Sequence, residues 1–503
     1  MNSIDRKRYF WVIGSALAQG VLIGLYLCAL FLNSQPDFKF LDFNLDLNLN
    51  LFLCMPLTLI VILPCVFWLA QEHWGKRLNI LLLSLAGILI IFYLYRLWAM
   101  YPTDGNFSVV PSQKLDLIRA CMAAFLIIPF FQCRIATWGW DVPYSDIFFQ
   151  LCRNLFLIFQ AVIVLAVFWG LLFTAGLLFD IVGLHAIPII IFNPLVAAPV
   201  TSITTAVSIT VALKHPGIDS LGRWILSVLA WLLPPFSIVS LVFIASLPYA
   251  GLNTLWDTGQ ASSLMLLLQL GTILLANASW LDGSKNIFNK HKHTEIIARV
   301  ALLLLPVYSV LCLYSLSLRV EQYGLSVDRI QAGFMAVISG VWGIGYAGAV
   351  LLRKWPCAIG RVNIAAALFM TFLVAAMNSP LLDPYRLAAN NQAERLLAGQ
   401  INPEDFDYLY MRFNLGRYGN YVLDRLANSE HPRVNLIRKK ISAARSMQPQ
   451  DYLKSLARDN KGVNIQDGGS FNILDNIKLV NGTGRSLIIN QDNLSGDIVV
   501  NIK

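Results

Sequence analysis

Two arginines, a tyrosine and two carboxylates crowd one short stretch of this sequence: Arg319, Glu321, Tyr323, Asp328 and Arg329, around a Gln322-Tyr323-Gly324 core. Guanidinium groups bind carboxylate or phosphate through paired N–H donors, so these are the residue types of an anion site. The same residues also suit a rigid turn whose arginines meet lipid headgroups or a C-terminal domain. Gly324 permits a tight turn, and Asp328 is placed to cap the helix that follows. Asp257, beside Trp256, is a second candidate, a carboxylate able to face Arg319 or Arg329 next to an interfacial tryptophan. A third set is Asp37, Asp42 and Asp46. Paired carboxylates there would serve as a base or hold a metal. The alternation of Leu with Asp or Asn from Asp42 to Asn50 equally describes an extended or surface-lying loop.

Other chemistries lack their residues. The histidines are scattered, and only His291 and His293 are close, in a basic loop with Glu295 the nearest carboxylate. No CxxC pair, Walker loop or GxSxG elbow occurs, so no metal and no cofactor is expected. The cysteines lie in or beside apolar segments and read as small buried hydrophobes. Ionisable residues deep in a membrane span are functional by default. Here Arg96, Asp116, Arg119, Asp180, Glu295 and Arg299 all fall near expected span ends, where snorkelling accounts for them. Gln269, Asn277 and the hydroxyls from Thr201 to Thr210 suit hydrogen bonds between helices. A proton-coupled transporter with a buried carboxylate relay is therefore disfavoured.

The elements that must position these groups follow from composition. Of 503 residues, 57% are hydrophobic and 13% charged, with a mean hydropathy of +0.61. Soluble domains carry about 25% charged residues, and runs of 18 or more nearly uncharged residues read as bilayer spans. About eleven spans are expected: Trp11–Leu32, Leu51–Ala70, Ile80–Tyr95, Leu117–Phe131, Leu155–Leu178, Ala186–Leu213, Trp224–Leu247, Ser262–Leu281, Ile296–Leu318, Gln331–Leu352 and Val362–Met377. The first follows Arg6, Lys7 and Arg8 and is too long for a signal-peptide core, so it reads as an uncleaved span. Pro188, Asn193, Pro194 and Pro199 crowd Ala186–Leu213, which is either one irregular span or a re-entrant segment followed by a span.

The net charge of +9 sits in short loops, with no basic patch interleaved with aromatics, so membrane lipids rather than nucleic acid are the expected partners. With the N-terminus inside, the inner loops hold Lys76, Arg77, Arg134, Arg153, Lys214, Arg223 and further cations up to Arg361. The outer ones hold only Lys39, Arg96, Lys114, Arg119, Arg319 and Arg329. By the positive-inside rule that sets a cytoplasmic N-terminus, and an odd span count puts the C-terminus outside.

After about residue 380 the pattern changes. Asp383-Pro384 and Asn402-Pro403 resemble helix starts, an N-cap followed by proline in the first turn. Helices are expected over Tyr385–Ala398, Glu404–Leu415, Asn420–Ala427, Pro432–Ser446 and Pro449–Arg458. Tyr408, Met411, Leu415, Tyr418, Val422 and Leu426 form an apolar face. From about residue 461, Gly-rich turns separate Phe471–Val480, Ser486–Asn490 and Asp497–Ile502, the pattern of a small antiparallel sheet.

The run Leu318-Arg319-Val320-Glu321-Gln322-Tyr323-Gly324-Leu325-Ser326-Val327-Asp328-Arg329-Ile330 resembles a recurring pattern of bacterial membrane proteins grouped as domain of unknown function 4153. Pro143-Tyr144 through Arg153-Asn154-Leu155 is similar to another stretch of that group, as is Leu382-Asp383-Pro384 leading into Gln392 and Arg395. The resemblance reaches to about Leu426 and implies an inner-membrane protein of uncharacterised role, with no activity to carry over.

The expected fold is an all-α polytopic membrane bundle with a small C-terminal α+β domain outside the cytoplasm. Its divisions are 1–380 transmembrane, 381–460 helical and 461–503 β-rich. Two function classes compete. One is a non-catalytic role in transport, lipid handling or envelope organisation at the bacterial inner membrane. The other is an envelope glycosyl- or group-transferase using Asp37, Asp42 and Asp46. Membrane glycosyltransferases that use lipid-linked sugars also place acidic residues in a first outer loop and a soluble domain at the C-terminus.

Overall fold

The structure, a computed structural model, describes residues 3–33, 59–73, 75–100, 113–137, 143–215, 217–251, 261–280, 292–352, 355–448, 451–452, 478–479, 486–489 and 498–501. Among the described residues nine helices are long and apolar enough to cross a membrane, and Leu59–Ala70 and Cys121–Ile135 are shorter apolar helices. The membrane-spanning part is a multi-pass, all-helical bundle.

Several helices outrun their apolar cores. The helix expected from Leu155 begins at Tyr144 and runs 38 residues to Ile181, about 57 Å at 1.5 Å per residue. Arg153 and Asn154 therefore lie inside it rather than in a loop before it. The helix expected to end at Leu318 continues through Arg319, Glu321 and Gln322 to Tyr323. Only Gly324-Leu325-Ser326 separates it from Val327–Leu351, where a longer connection was expected. The hydropathy drops at Leu318, but nothing stops the backbone until Gly324, which takes φ +76 while its N–H bonds the Val320 carbonyl. The irregular sixth segment resolves into a six-residue helix, Ala186–Ile191, a break, and Pro194–Leu213. Asn193 makes the break a helix start: its Oδ1 accepts from the Leu195 N–H at 2.9 Å, and Pro194 occupies the first turn.

Among the described residues the most extensive packing joins Ser3–Asn33 to Pro194–Leu213. Gly20 and Gly24 make it possible, in the small-xxx-small spacing that lets membrane helices approach. A Cβ on Gly20 would lie 2.6 Å from the Pro199 nitrogen and 2.8 Å from the Ala198 carbonyl oxygen; one on Gly24 would lie 2.7 Å from the Pro194 oxygen.

Polar residues gather at two ends of the bundle. At one end Arg153 forms a two-pronged ion pair with Glu72, at 2.7 and 3.0 Å, and also donates to the Leu213 carbonyl at 3.3 Å. Arg77 donates to the Ile135 carbonyl at the same end. The opposite end receives the C-terminal helices: Pro384–Leu397, Tyr408–Asn414, Gly416–Ala427 and Val434–Ser446.

Tyr408, Met411, Leu415, Val422 and Leu426 are buried in one apolar cluster, with Tyr418 packed against it. That cluster also contains Val327 and Ile330, so these helices share a core with the Gly324 hairpin. Asp383 is an N-cap, its Oδ1 accepting from the Tyr385 N–H at 2.9 Å. Asn402-Pro403 does not start a helix. The chain turns there, and the helix begins at Tyr408, where the Asp407 carboxylate caps the Tyr410 N–H at 2.8 Å. Of the expected Pro449–Arg458 helix, residues 451–452 are described. Tyr452 stacks on Phe413 with ring centroids 4.6 Å apart. Lys478–Leu479, Ser486–Ile489 and Ile498–Asn501 pair in sequence order as an antiparallel sheet, Leu479 opposite Leu487 and Ser486 opposite Asn501.

Candidate functional site

The Gly324 hairpin is held from above by the helix Pro384–Leu397. Asn391 Oδ1 accepts from the Leu325 N–H at 2.8 Å. Gln392 Nε2 donates to the carbonyls of Tyr323 and Leu325, at 3.1 and 3.0 Å. Arg395 Nη2 donates to the carbonyls of Glu321 and Gln322, at 3.1 and 3.0 Å. The turn carbonyls, which a helix end leaves unpaired, thus find side-chain donors in the C-terminal region. Arg329 Nη1 donates to the Gly324 carbonyl at 3.0 Å, with its guanidinium 5.2 Å from the Tyr323 ring centroid. Ser326, not Asp328, caps the second helix, its Oγ accepting from the Arg329 N–H at 3.3 Å. Asp328 is already within the first turn, where its exposed carboxylate complements the helix dipole.

Between hairpin and C-terminal helices lies a cleft of about 530 Å³. Tyr323 and Arg329 line it; Arg319, Glu321 and Asp328 do not, and Arg395 stands where a second arginine was sought. The opposite wall carries Asn402, Asp405, Asp407 and Tyr410. Burial pushes the Tyr410 hydroxyl up to about 12, and neighbouring Asp328 and Asp407 push the same way. Asp257, Asp37, Asp42 and Asp46 lie outside the described residues, as does His291. Among the described residues no group of three or more metal-ligating side chains occurs.

A second polar centre joins the C-terminal helices to the end of Lys76–Met100. Arg96 is 4% exposed rather than snorkelling, and its Nη1 lies 3.5 Å from the Asp383 carboxylate, which is fully buried. Tyr95 donates its hydroxyl proton to the same oxygen at 2.8 Å. Its lone pair is then left to accept from Tyr418, whose hydroxyl lies 2.9 Å away. Arg96 also lies over the Tyr385 ring, 4.7 Å from its centroid, and Trp98 stacks on Tyr95 and meets Tyr418 edge-on. The sequence signal for this centre is Asp383-Pro384, which reads as a cap and as part of the family resemblance; nothing local pairs it with Arg96.

The third feature lies inside the membrane-spanning part. A cavity of about 380 Å³ opens between six helices, walled by Phe130, Phe148, Leu155, Leu229, Ile273 and Ala367 among other apolar side chains. Its polar end is a hydrogen-bonded knot. Asn363 Nδ2 donates to Tyr144 Oη at 2.7 Å and Asn277 Oδ1 at 2.6 Å, while Asn363 Oδ1 accepts from Tyr346 at 2.6 Å and Trp342 Nε1 at 3.0 Å. All four hydrogen-bonding positions of the amide are used. Sequence reading placed Asn277 between helices; Tyr144, Trp342, Tyr346 and Asn363 were missed, because each alone looks like an ordinary interfacial or core residue.

A family model described as Domain of unknown function (DUF4153) matches residues 57–426. No curated protein and no solved structure matches the chain.

Proposed function

We propose that this chain, which belongs to the DUF4153 family, handles lipid, seating an acyl or isoprenyl chain in the cavity between its membrane-spanning helices. The family description names no activity, so the reading rests on the cavity itself. Its size falls within the range of small-molecule sites, about 300–1,000 Å³, and its wall is apolar on almost every side. In water such a cavity stays dry or takes an apolar guest; in a bilayer the guest at highest concentration is a lipid tail. The Asn363 knot satisfies its own hydrogen bonds, so it marks the end of the chain-binding space without demanding a polar partner there.

The same reading places the protein in a bacterial inner membrane with its N-terminus cytoplasmic and its C-terminal helices outside. Two observations support that orientation. Basic residues concentrate in the loops assigned inside. The C-terminal helices also bond to Tyr95, Arg96 and the Gly324 hairpin, which that assignment puts at the outer end. Alkaline phosphatase fused after Ser446 is expected to be active, and a cytoplasmic reporter at the same position to be silent.

The test of lipid handling is native mass spectrometry of the full chain released from detergent, beside two cavity-filling variants, Ala367→Phe and Leu229→Trp. The wild type is expected to retain one lipid per chain that both variants lose, with their unfolding temperatures held or raised. Identical lipid retention in all three proteins would sink the reading.

A further inference from the structure

The cleft over the Gly324 hairpin lies at the other end of the bundle from the apolar cavity. At 1.5 Å per residue, Arg329 lies about 26 Å from Tyr346 along their shared helix. Its chemistry is different, and what it binds does not depend on the lipid reading.

The charge of its wall rules against a simple anion site. Arg329 and Arg395 are matched by Asp405 and Asp407, so the lining is neutral overall. Arg329 spends one nitrogen on the Gly324 carbonyl, and Arg395 spends its Nη2 on the Glu321 and Gln322 carbonyls. A free phosphate or carboxylate entering here would meet two carboxylates beside two partly committed arginines. A phosphate site of the usual kind concentrates donors and positive charge.

What remains is an alternation of planar polar groups. Gln322 and Gln400 present both donors and acceptors; Asn402 donates to Asp405 at 3.3 Å and Asp407 Oδ1 accepts from the Tyr410 N–H, which leaves the Asn402 carbonyl and the second oxygen of each aspartate as acceptors. Arg395 Nη1 is buried and has no hydrogen-bond partner. It packs against the turn, 2.5 Å from where a Cβ on Gly324 would lie, which fixes the guanidinium over the hairpin. Aromatic rings complete the wall: Tyr323, more than half exposed, on the hairpin side, and Phe406 and Tyr410 opposite.

From this we infer that the cleft is a saccharide-binding site. Each hydroxyl of a pyranose is at once donor and acceptor, and so pairs with amides, carboxylates and guanidinium groups in mixture. The C–H faces of the ring lie against aromatic side chains. A neutral cleft of about 530 Å³ with that mixture suits one or two sugar rings. An extended peptide would instead use a free strand edge, and no strand lines this cleft.

The experiment uses the full-length chain, purified in a detergent with no sugar headgroup and titrated with a panel of mono- and disaccharides, including N-acetylglucosamine, chitobiose and maltose. Binding is read from intrinsic fluorescence and by calorimetry. At least one sugar is expected to bind saturably in the millimolar range or tighter. Affinity should fall at least tenfold in Asn402→Ala and in Asp405→Ala, whose exposed side chains leave the fold intact, as unchanged unfolding temperatures would show. Alkyl glycosides of the bound sugar distinguish the source. Tighter binding than the free sugar identifies a glycolipid headgroup, and equal binding a soluble or polymeric glycan; either outcome supports the site. Saturable binding of inorganic phosphate that Asp405→Ala strengthens would overturn it in favour of an anion site. No saturable binding by any sugar up to 50-fold above about 1 mM, the weak end of the affinity scale, would overturn it outright.

Discussion

Arg96 and Asp383 meet at 3.5 Å, both almost completely withdrawn from solvent, at the seam between the membrane helices and the C-terminal region. A buried pair of this kind contributes little net stability over an apolar substitute, but removing one partner strands the other. That loss is about 3–5 kcal/mol. Asp383→Ala should therefore loosen the C-terminal helices, seen as faster proteolysis after about residue 380 and a lower unfolding temperature. Asp383→Asn keeps one acceptor oxygen, enough for either Tyr95 or the Tyr385 N–H but not both, so it should be milder than alanine. Adding Arg96→Met to Asp383→Ala should restore part of the loss. If the double variant is worse than the alanine single, the pair is not what holds the seam.

The contact of Gly20 with Pro199 makes a prediction about volume rather than charge. Neither backbone can yield to an added Cβ, so Gly20→Ala should cost about 1–3 kcal/mol by overpacking, and Gly20→Val more. Gly14, on the same helix, has nothing within 4 Å of a built Cβ, so Gly14→Ala is the matched control. Equal unfolding temperatures for Gly14→Ala and Gly20→Ala would refute the close approach.

Asn363 is the hub of its knot, and Asn363→Leu removes both acceptor and donors at once. Tyr144, Asn277, Trp342 and Tyr346 each lose a partner, and an unsatisfied buried group costs about 1–3 kcal/mol. Hydrogen bonds between membrane helices measure lower, about 0.6 kcal/mol on average, so a total near 2 kcal/mol is expected in denaturant unfolding. Asn363→Asp, which keeps the acceptors, should be distinguishable from it by leaving the fluorescence of Trp342 nearer the wild type.

Base should weaken the C-terminal helices. Burial pushes the hydroxyls of Tyr408, Tyr410 and Tyr452 up to about 12, from an unfolded value near 10. Above pH 10 the unfolded chain releases these protons and the folded one keeps them, so stability falls as pH rises from about 10 to 12 and is intact below 10. Tyr410→Phe should shrink that fall, as followed by unfolding across pH 9–12.

How much of this was legible beforehand varies with range. The spans were readable because apolar length is a local property, and so were Asp383 as a cap and the Tyr408-to-Leu426 face, which depend on neighbours three or four residues away. Helix ends beyond the bilayer were misread at Tyr144 and Tyr323, because hydropathy reports where the lipid stops, not where the helix does. Asn402-Pro403 had the right residue types, but Asp407 was the better-placed cap. Arg96 was assigned to snorkelling for want of a visible partner, and the Gly20-to-Gly24 spacing passed unremarked within an apolar run. Arg395 entered the reading only through resemblance, since its role depends on a turn 71 to 74 residues earlier. Pairings of that separation leave no periodic trace in a single sequence.

The 287 residues that separate Arg96 from Asp383 also set a timetable. When Lys76–Met100 leaves the ribosome and enters the bilayer, its carboxylate partner has not been made. An unpaired arginine near a helix end bends toward the headgroups and water, so the nascent helix sits with that end held at the interface. Only after every later helix has been inserted does the Asp383 segment arrive, letting Arg96 withdraw into the protein. The Asp383 segment thus supplies the carboxylate only once the membrane helices before it have been made, and a chain truncated before Asp383 would lack that ion pair at the end of Lys76–Met100.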